Sequence, residues 1–496
     1  MPSPPDPRAL ALLLTLVVLT ACTRDALTLA PGSADRPWPI PRPEEAAPPA
    51  QGSSATEWAP TLTVGFQDRQ AVSPDRDRRY DLAGLIDLAQ RNNPETRGAW
   101  EQARQAALAV GLAESTYLPQ ISAEALGGFQ HTPLPIPASL IAKGYFTSDT
   151  RELVPTLTAK WLLFDFGQRA SAEQAARGGS FVANVAFTGA HQKLIYGVSR
   201  DYFALGATRG RLRVARKAMD NAVIVQDSTD SRRARGLATT VQVAQARRET
   251  AQARFNLDRA TGAEHSAYAA LIASVGIAPA LHVEVADNSA QALPMAPSQD
   301  LDQLVQVALA NRPDLIAALG KIKVAEAGLA GARATYYPTI GLEAQAYQNV
   351  GGLSTEGSRY YSVNEPGANL LLKLTWPLFD GGARDTHVQT ARSEIAAAKD
   401  ALDQASDAAV QQVTDAYETL QTSFAEYASA MVLTDAAQTA YDAALDAYRH
   451  GVGTYTDLVN AETALSQAGS EKEDAHANVF TAAAALAFAT GSILAR

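Results

Sequence analysis

From Ile121 to Ala125 apolar and polar residues alternate, with Ile121, Ala123 and Ala125 set against Ser122 and Glu124. A period of two is the signature of a strand with one apolar face. The alternation returns at Ile340, Leu342, Ala344 and Ala346, set against Gly341, Glu343 and Gln345. Each stretch is answered downstream: Leu157, Ala159 and Trp161 oppose Thr156, Thr158 and Lys160, while Leu370, Leu372, Leu374 and Trp376 oppose Asn369, Lys373 and Thr375. Two β-hairpins are therefore predicted, over residues 118–165 and 337–380. Strands of about 10 residues whose apolar face ends in an aromatic have the length and girdle to cross a bilayer when tilted. A half-buried soluble hairpin shows the same alternation, so the pattern alone leaves both readings open.

Ahead of each hairpin the apolar period is helical, broken once at Asn92-Asn93-Pro94 and at Asn311-Arg312-Pro313, since proline disfavours helix before it and opens a new helix well. A short and a longer helix are expected each time, ending at Tyr117-Leu118-Pro119 and Tyr336-Tyr337-Pro338. After Phe164-Asp165-Phe166-Gly167 and Phe379-Asp380-Gly381-Gly382 come proline-free runs of roughly 70 residues, about 100 Å of helix at 1.5 Å per residue. Val410, Val413, Tyr417, Leu420, Phe424, Tyr427 and Met431 alternate spacings of three and four, a coiled-coil seam that Ile195, Val198, Tyr202 and Leu205 repeat. Each run turns, at Arg235-Gly236 or His450-Gly451, and returns as an alanine-rich helix, giving long helical hairpins over 168–276 and 383–491. Alanine on more than one face suits staves of a closed ring; a two-helix coiled coil using alanine for its propensity alone is the simpler alternative.

These parallels reflect an internal duplication. Residues 82–121 match residues 301–340 at a constant offset of 219, with 12 identities in 40 positions, among them Leu82, Asn92, Pro94, Tyr117 and Pro119. Later the offset is 215, placing Trp161, Asp165, Gly236 and Gly276 on Trp376, Asp380, Gly451 and Gly491. The repeats are assigned to 81–280 and 301–496, with a linker at 281–300.

The N-terminus is organised differently. Arg8 precedes the apolar run Ala9 to Leu19, too short to span a bilayer as a helix but suited to a signal-peptide core. The run ends in Leu19-Thr20-Ala21-Cys22, which resembles the lipobox of bacterial lipoproteins and implies removal of residues 1–21 and acylation of Cys22. Thr23 is non-acidic, which in lipoproteins of this kind goes with the outer membrane. Residues 22–80 are expected to form the lipidated N-terminus and, where proline, alanine, serine and charge dominate, an extended tether.

Composition removes other classes. A net charge of -10 and a pI near 5.3 leave no basic excess for a general nucleic-acid binder. The lone cysteine excludes disulfides and a cysteine metal site. There is no Walker loop, no paired histidine on a helix face and no Gly-x-Ser-x-Gly elbow, and the seven histidines are scattered. No enzyme and no cofactor are expected, and energy for any transport must come from a partner.

Helix, helix, strand, strand, long helix, long helix, twice over, resembles the TolC-type outer membrane efflux family. The carrying residues are the two Asn-x-Pro breaks, Tyr117-Leu118-Pro119, Tyr336-Tyr337-Pro338, Trp376-Pro377-Leu378-Phe379-Asp380-Gly381-Gly382 and Tyr448-Arg449-His450-Gly451 with Asp457-Leu458. The resemblance implies an α+β membrane protein in which three protomers each give four strands to one β-barrel, continued by long antiparallel helical hairpins that form a periplasmic α-barrel. Physics agrees, because four strands cannot close and open edges are not tolerated in lipid. The anchor and tether look like the lipoprotein branch, which implies a homotrimer in outer-membrane lipid, a periplasmic adaptor and an inner-membrane pump of the resistance-nodulation-division type. The exit duct of a type I protein secretion system shares these features. A non-conducting coiled-coil scaffold would not need two matching hairpins.

Two residue groups follow as functional candidates. Glu124, Glu343, Lys160 and Lys373 lie opposite the apolar strand face and are expected to line the barrel lumen. Resemblance also places a constriction and the adaptor contacts at the helical turns. These carry Gly236, Thr239 and Gln242 in the first repeat, and Arg449, Gly451, Thr454, Tyr455 and Asp457 in the second. Thr239-x-x-Gln242 and Thr454-x-x-Asp457 have capping-box spacing. Asp457 is therefore either a cap or one carboxylate of a threefold ring closing the tunnel.

Overall fold

The computed structural model describes residues 26–38, 75, 78–137, 139–140, 142–278, 281–289 and 291–494. The expected signal peptide, the lipidation site Cys22 and most of the expected tether lie outside the described residues.

After a 3-10 turn at Ala26–Leu29, the first half runs β1 (Arg79–Tyr80), α1 (Leu82–Asn92), α2 (Pro94–Ser115), β2 (Gln120–Pro135), β3 (Tyr145–Phe164), α3 (Gln168–Ala234) and α4 (Thr240–Val275). The second half runs β4 (Glu284–Val285), α5 (Leu301–Asn311), α6 (Pro313–Ala334), β5 (Thr339–Thr355), β6 (Tyr361–Thr375), α7 (Ala383–His450) and α8 (Tyr455–Ala489). Helices α1 and α5 both have 11 residues and α2 and α6 both have 22. The same local chemistry starts α1 and α5: Asp81 accepts from the N–H of Gly84 and Asp300 from that of Gln303, each at 2.9 Å. Both helices stop at an extended residue, Asn93 or Arg312, ahead of proline.

The chain divides into a strand-bearing unit (residues 105–180 and 320–399) and a helical unit (30–104, 181–319 and 400–496). In the strand-bearing unit β2, β3, β5 and β6 form one antiparallel sheet in that order. The strands have 15 to 20 residues, longer than the 10 that the alternation suggested. Gly127-Gly128, Pro155, Gly351-Gly352 and Pro366 interrupt the alternation; the β2–β3 and β5–β6 pairings run through them, while the β3–β5 pairing passes over Val154 and Pro155. Register collects Ile121, Leu157, Ala159, Trp161, Leu342, Ala344, Leu370 and Leu372 on one face.

A repeated joint links strand to long helix. Phe166 and Gly167, like Gly381 and Gly382, have positive φ and turn the chain sharply. Asp165 accepts from the backbone N–H groups of Gly167 and Arg169 and from the Arg169 guanidinium, and Asp380 does the same for Gly382 and Arg384. Trp161 and Trp376 donate to the carbonyls of Tyr117 and Tyr336 at 2.8 and 3.0 Å, and Arg169 and Arg384 lie over those same tyrosine rings.

The helical unit has its largest apolar core around Leu85, Val198, Leu205, Leu271, Ile272 and Val275. Gly276 and Gly491, at positive φ, explain the Asn-x-Pro breaks: a β-carbon on Gly276 would lie 3.1 Å from Asn93 Cα, and one on Gly491 3.0 Å from the Asn311 carbonyl. Each helical hairpin thus ends pressed against the break of its own repeat. Along α7 the seam is largely as expected, with Tyr417, Phe424 and Tyr427 packed on the core that holds Val413 and Leu420. Val413 and Leu420 are buried, but Val410 and Met431 are exposed, and Ala409, Ser423, Ala430 and Ala437 supply a second buried line. Small residues there allow close approach, which a search for large apolar side chains overlooks.

Residues 31–38, within the segment expected as a tether, are pinned instead. The Pro31 carbonyl accepts from Trp100 Nε1 at 2.8 Å, the Trp38 carbonyl accepts from the Thr188 hydroxyl at 2.8 Å, and Trp38 meets Phe181 edge-on. Contacts at both of its ends, Pro31 with Trp100 and Trp38 with Phe181 and Thr188, anchor a stretch whose composition reads as unstructured.

Candidate functional site

The helical turns are built by capping chemistry. Gly236 and Gly451 take φ of 75° and 80°, the left-handed conformation that ends a helix, and Thr239 and Thr454 cap the returning helices. Both capping boxes are complete. Gln242 N–H donates to Thr239 Oγ1 at 3.2 Å while Gln242 Oε1 accepts from Thr239 N–H at 2.8 Å. Asp457 N–H donates to Thr454 Oγ1 at 3.1 Å, and Asp457 Oδ2 accepts from the Thr454 hydroxyl at 2.6 Å and its N–H at 3.3 Å. The Asp457 carboxylate is thus engaged within its own turn.

Tyr455, named with Asp457 among the turn candidates, is buried in a core with Tyr441, Tyr448, Leu458 and Leu465. It meets Tyr448 edge-on at 6.0 Å, and burial pushes its phenol up to about 12, as it does that of Tyr441. The turn sequence fixes Tyr455 as the first residue of α8, and the first residue's side chain here lies inward against α7. Arg449 is exposed.

Contacts that sequence reasoning missed tie the two turns together. Arg232, in the last turn of α3, donates to the Tyr448 carbonyl at 2.6 Å and lies over the Tyr448 ring at 4.8 Å. The buried Thr229 hydroxyl meets Tyr448 Oη at 3.0 Å. Offset 215 could have flagged Arg232, because it falls on Ala447 and so breaks the repeat.

Further up α8, Glu462 borders a groove of about 550 Å³ between α3, α4 and α8, with Glu249, Arg211 and Arg259 also on its walls. Glu462 Oε1 is buried without a hydrogen-bond partner, and burial first, then the Glu249 charge, pushes its carboxyl up to about 7. Glu249 itself is ion-paired with Arg248.

In the sheet, Lys160 lies directly across from Glu343, Glu124 across from Thr156, and Lys373 across from Gly341. All four candidate lumen residues therefore share the face opposite Leu157 and Leu372. Leu371 and Tyr347 also fall on that face, which is less uniformly polar than expected.

Among the described residues no group of three His, Cys, Asp or Glu could hold a metal ion, and no helix is long and apolar enough to cross a membrane. The described residues offer a sheet with two chemically distinct faces and long helical hairpins with capped turns.

The sequence pattern of the outer membrane efflux protein family matches residues 85–277 and again residues 304–492. Protein CyaE of Bordetella pertussis is 30% identical over 367 residues, 72% of this chain and 73% of that protein. Outer membrane protein OprJ of Pseudomonas aeruginosa is 27% identical over 369 residues, 72% of this chain and 69% of that protein. Among solved structures, the Campylobacter jejuni CmeC outer membrane channel superposes with a TM-score of 0.68 at 16% identity, covering 89% of this chain and 94% of that one, a likeness of fold.

Proposed function

The chain belongs to the outer membrane efflux protein family, and from that premise we propose that it is the outer-membrane channel of a tripartite efflux system, a passive duct for small molecules. The observation that carries this reading is the sheet. Its apolar face is bare: Leu370, Leu372 and Leu374 are 68, 70 and 63% exposed. Leaving such a face in water is costly, at about 25 cal/mol per Å² of apolar surface, and lipid removes that cost. The sheet also ends in two open edges, β2 and β6, of 16 and 15 residues. Unpaired edges are not stable in hydrocarbon, so each must be taken up by another copy.

Three copies would then supply twelve strands to one barrel, with Glu124, Glu343, Lys160 and Lys373 facing the water-filled lumen. Acylated Cys22 would add a lipid anchor in the outer membrane. The capped turns of α3–α4 and α7–α8 would lie at the periplasmic end, where an adaptor and a resistance-nodulation-division type pump supply the energy that this chain does not. Two repeats, each with half of the strands, make the protomer itself a duplicated unit.

The test is reconstitution. Protein purified in mild detergent should run as a trimer by native mass spectrometry and form ion-conducting pores in planar bilayers. A monomer, or an oligomer that inserts without conductance even after the Arg232–Tyr448 contact is removed, would overturn the proposal.

A further inference from the structure

Both faces of the sheet can be followed residue by residue, because the register of β3 is constant from Trp161 to Asp149. On the face of Leu157, β3 carries no charge from Trp161 to Leu153, and neither do the residues aligned with it on β2, β5 and β6. The first charge on this face is Arg151. Ten residues separate Trp161 from Arg151, about 33 Å at 3.3 Å per residue and about 25 Å along the normal for strands tilted by about 40°. An uncharged band of that height with an aromatic at each boundary is what a barrel presents to a bilayer. Trp161 lies near the end of β3 that leads into α3, so Arg151 marks the opposite boundary, level with headgroups rather than acyl chains.

Arg151 is seated between two rings. Its guanidinium carbon lies 4.6 Å from the centre of the Tyr360 ring and 5.9 Å from that of Phe129. Phe129 is directly across on β2, and Gly352 directly across on β5. Gly352 makes room for Tyr360, since a β-carbon there would come within 3.3 Å of Tyr360 Cδ1. Cation–π attraction to two rings fixes the guanidinium in place before any ligand arrives. Its donors are unspent. Among the described residues no carboxylate or carbonyl accepts from Arg151. The acids nearby are occupied or turned away: Asp149 meets His131, Glu356 accepts from the Thr147 N–H and from Lys143, and Glu152 lies on the opposite face.

We propose that Arg151, held between Phe129 and Tyr360 on the outward face of the sheet, binds the phosphate of an anionic lipid headgroup in the outer leaflet. A guanidinium presents paired N–H donors that match two phosphate oxygens, and at the edge of the hydrocarbon their attraction is screened less than in water. An arginine that only snorkels to water gains from staying mobile, whereas this one is clamped. Recognition is of the phosphate, so a headgroup with exposed phosphate monoesters is favoured over one whose phosphate carries its own amine.

This inference rests on the reading of the chain as an outer-membrane barrel, and the test separates the two. The purified full-length oligomer is titrated with lipid A, with the same glycolipid stripped of its phosphates, and with phosphatidylethanolamine, and bound copies are counted by native mass spectrometry. One lipid A per protomer is expected, held about tenfold more tightly than either other probe. Arg151→Gln should lose about tenfold in affinity for lipid A and leave the other two probes unchanged, while Arg151→Lys, which keeps the charge without the fork, should lose about threefold. Arg254→Gln, at an exposed arginine of the helical unit, should change nothing. Unaltered oligomer mass and bilayer conductance show that each variant is folded. Equal binding by wild type and Arg151→Gln, equal binding of phosphorylated and stripped lipid, or displacement of lipid A by excess inorganic phosphate each overturns the headgroup site while leaving the duct standing. A wild-type chain that neither oligomerises nor conducts overturns both.

Discussion

Replacing Glu462 by glutamine should stabilise the protein at alkaline pH and leave it unchanged at acid pH. The glutamine keeps the shape of the side chain and removes a charge that the fold opposes. In the unfolded chain this carboxyl ionises near its ordinary 4.5, but in the fold burial and Glu249 move it to about 7. Below about pH 4.5 both states hold the proton and the group has no effect. Between 4.5 and 7 the unfolded chain ionises first, so stability falls as pH rises; above 7 both are ionised and the full cost is present. The gap between 4.5 and about 7, at about 1.4 kcal/mol per pH unit, sets a ceiling of about 3.5 kcal/mol. Solvent in the adjoining groove screens part of this, leaving about 1–2 kcal/mol. Chemical unfolding of the detergent-solubilised protein at pH 5 and pH 8 measures it. The expected result is a gain at pH 8 that shrinks severalfold at pH 5, with Glu249→Gln recovering part of it. An equal gain at both pH values, or a loss at pH 8, would refute the reasoning.

Mass spectrometry of the mature protein should show residues 1–21 absent and Cys22 carrying acyl chains; an intact N-terminus is the contrary result. Cysteine placed singly at Glu124, Glu343, Lys160 or Lys373 should react with small water-soluble thiol reagents in membranes, whereas cysteine at Leu342 or Leu372 should not, and equal labelling would reject the barrel. Asp457→Gln gives the second turn the capping pattern of the first without its charge, so a folded variant with raised single-channel conductance supports an Asp457 ring and unchanged conductance assigns the residue to capping alone. Gly276→Ala forces a β-carbon to within 3.1 Å of the Asn93 backbone at φ of 80°, and should lose about 2 kcal/mol in chemical unfolding; a neutral result would mean that the hairpin end is not pressed on the break.

Much of this was legible in sequence because the relevant signals are local and occur twice. Proline after Asn-x, Gly276 and Gly491, and the Thr-x-x-Gln and Thr-x-x-Asp turns each encode a backbone event within a few residues. A second copy at fixed offset separates such signals from chance. Contacts that join distant parts of the chain were not legible. Arg232 reaching the Tyr448 carbonyl, Glu462 losing its water, and Trp38 pinning the N-terminal segment depend on which helices become neighbours, and no periodicity reports that. Tyr455 shows the limit most clearly, since nothing within the turn motif reports that the packing of α8 on α7 turns its ring inward.

The two repeats have like elements but unlike burial, and the difference is itself informative. In the strand-bearing unit Phe166 stacks on Tyr337 at 5.3 Å, Gln168 donates to the Ala334 carbonyl, and a β-carbon on Gly331 would touch Ser171 at 3.4 Å, so the joint of repeat 1 is covered by α6 of repeat 2. The joint of repeat 2 has no such cover. Phe379 is 89% exposed where its equivalent Phe164 is 53% exposed, and Leu112, the counterpart of Gly331, is 75% exposed. A chain selected to be monomeric would be expected to replace Leu112, Leu378 and Phe379 with polar residues, because each costs free energy in water and contributes nothing to the isolated fold. The same imbalance appears independently in the helical unit, where the exposed Val432, Glu426 and Arg259 stand at offset 215 from Lys217, Arg211 and Asp474, of which Lys217 pairs with Gln438 and Arg211 with Asp474. Two separate units therefore leave bare the surfaces that a further repeat would cover, and in each the missing surface is one that the other end of the same chain already presents.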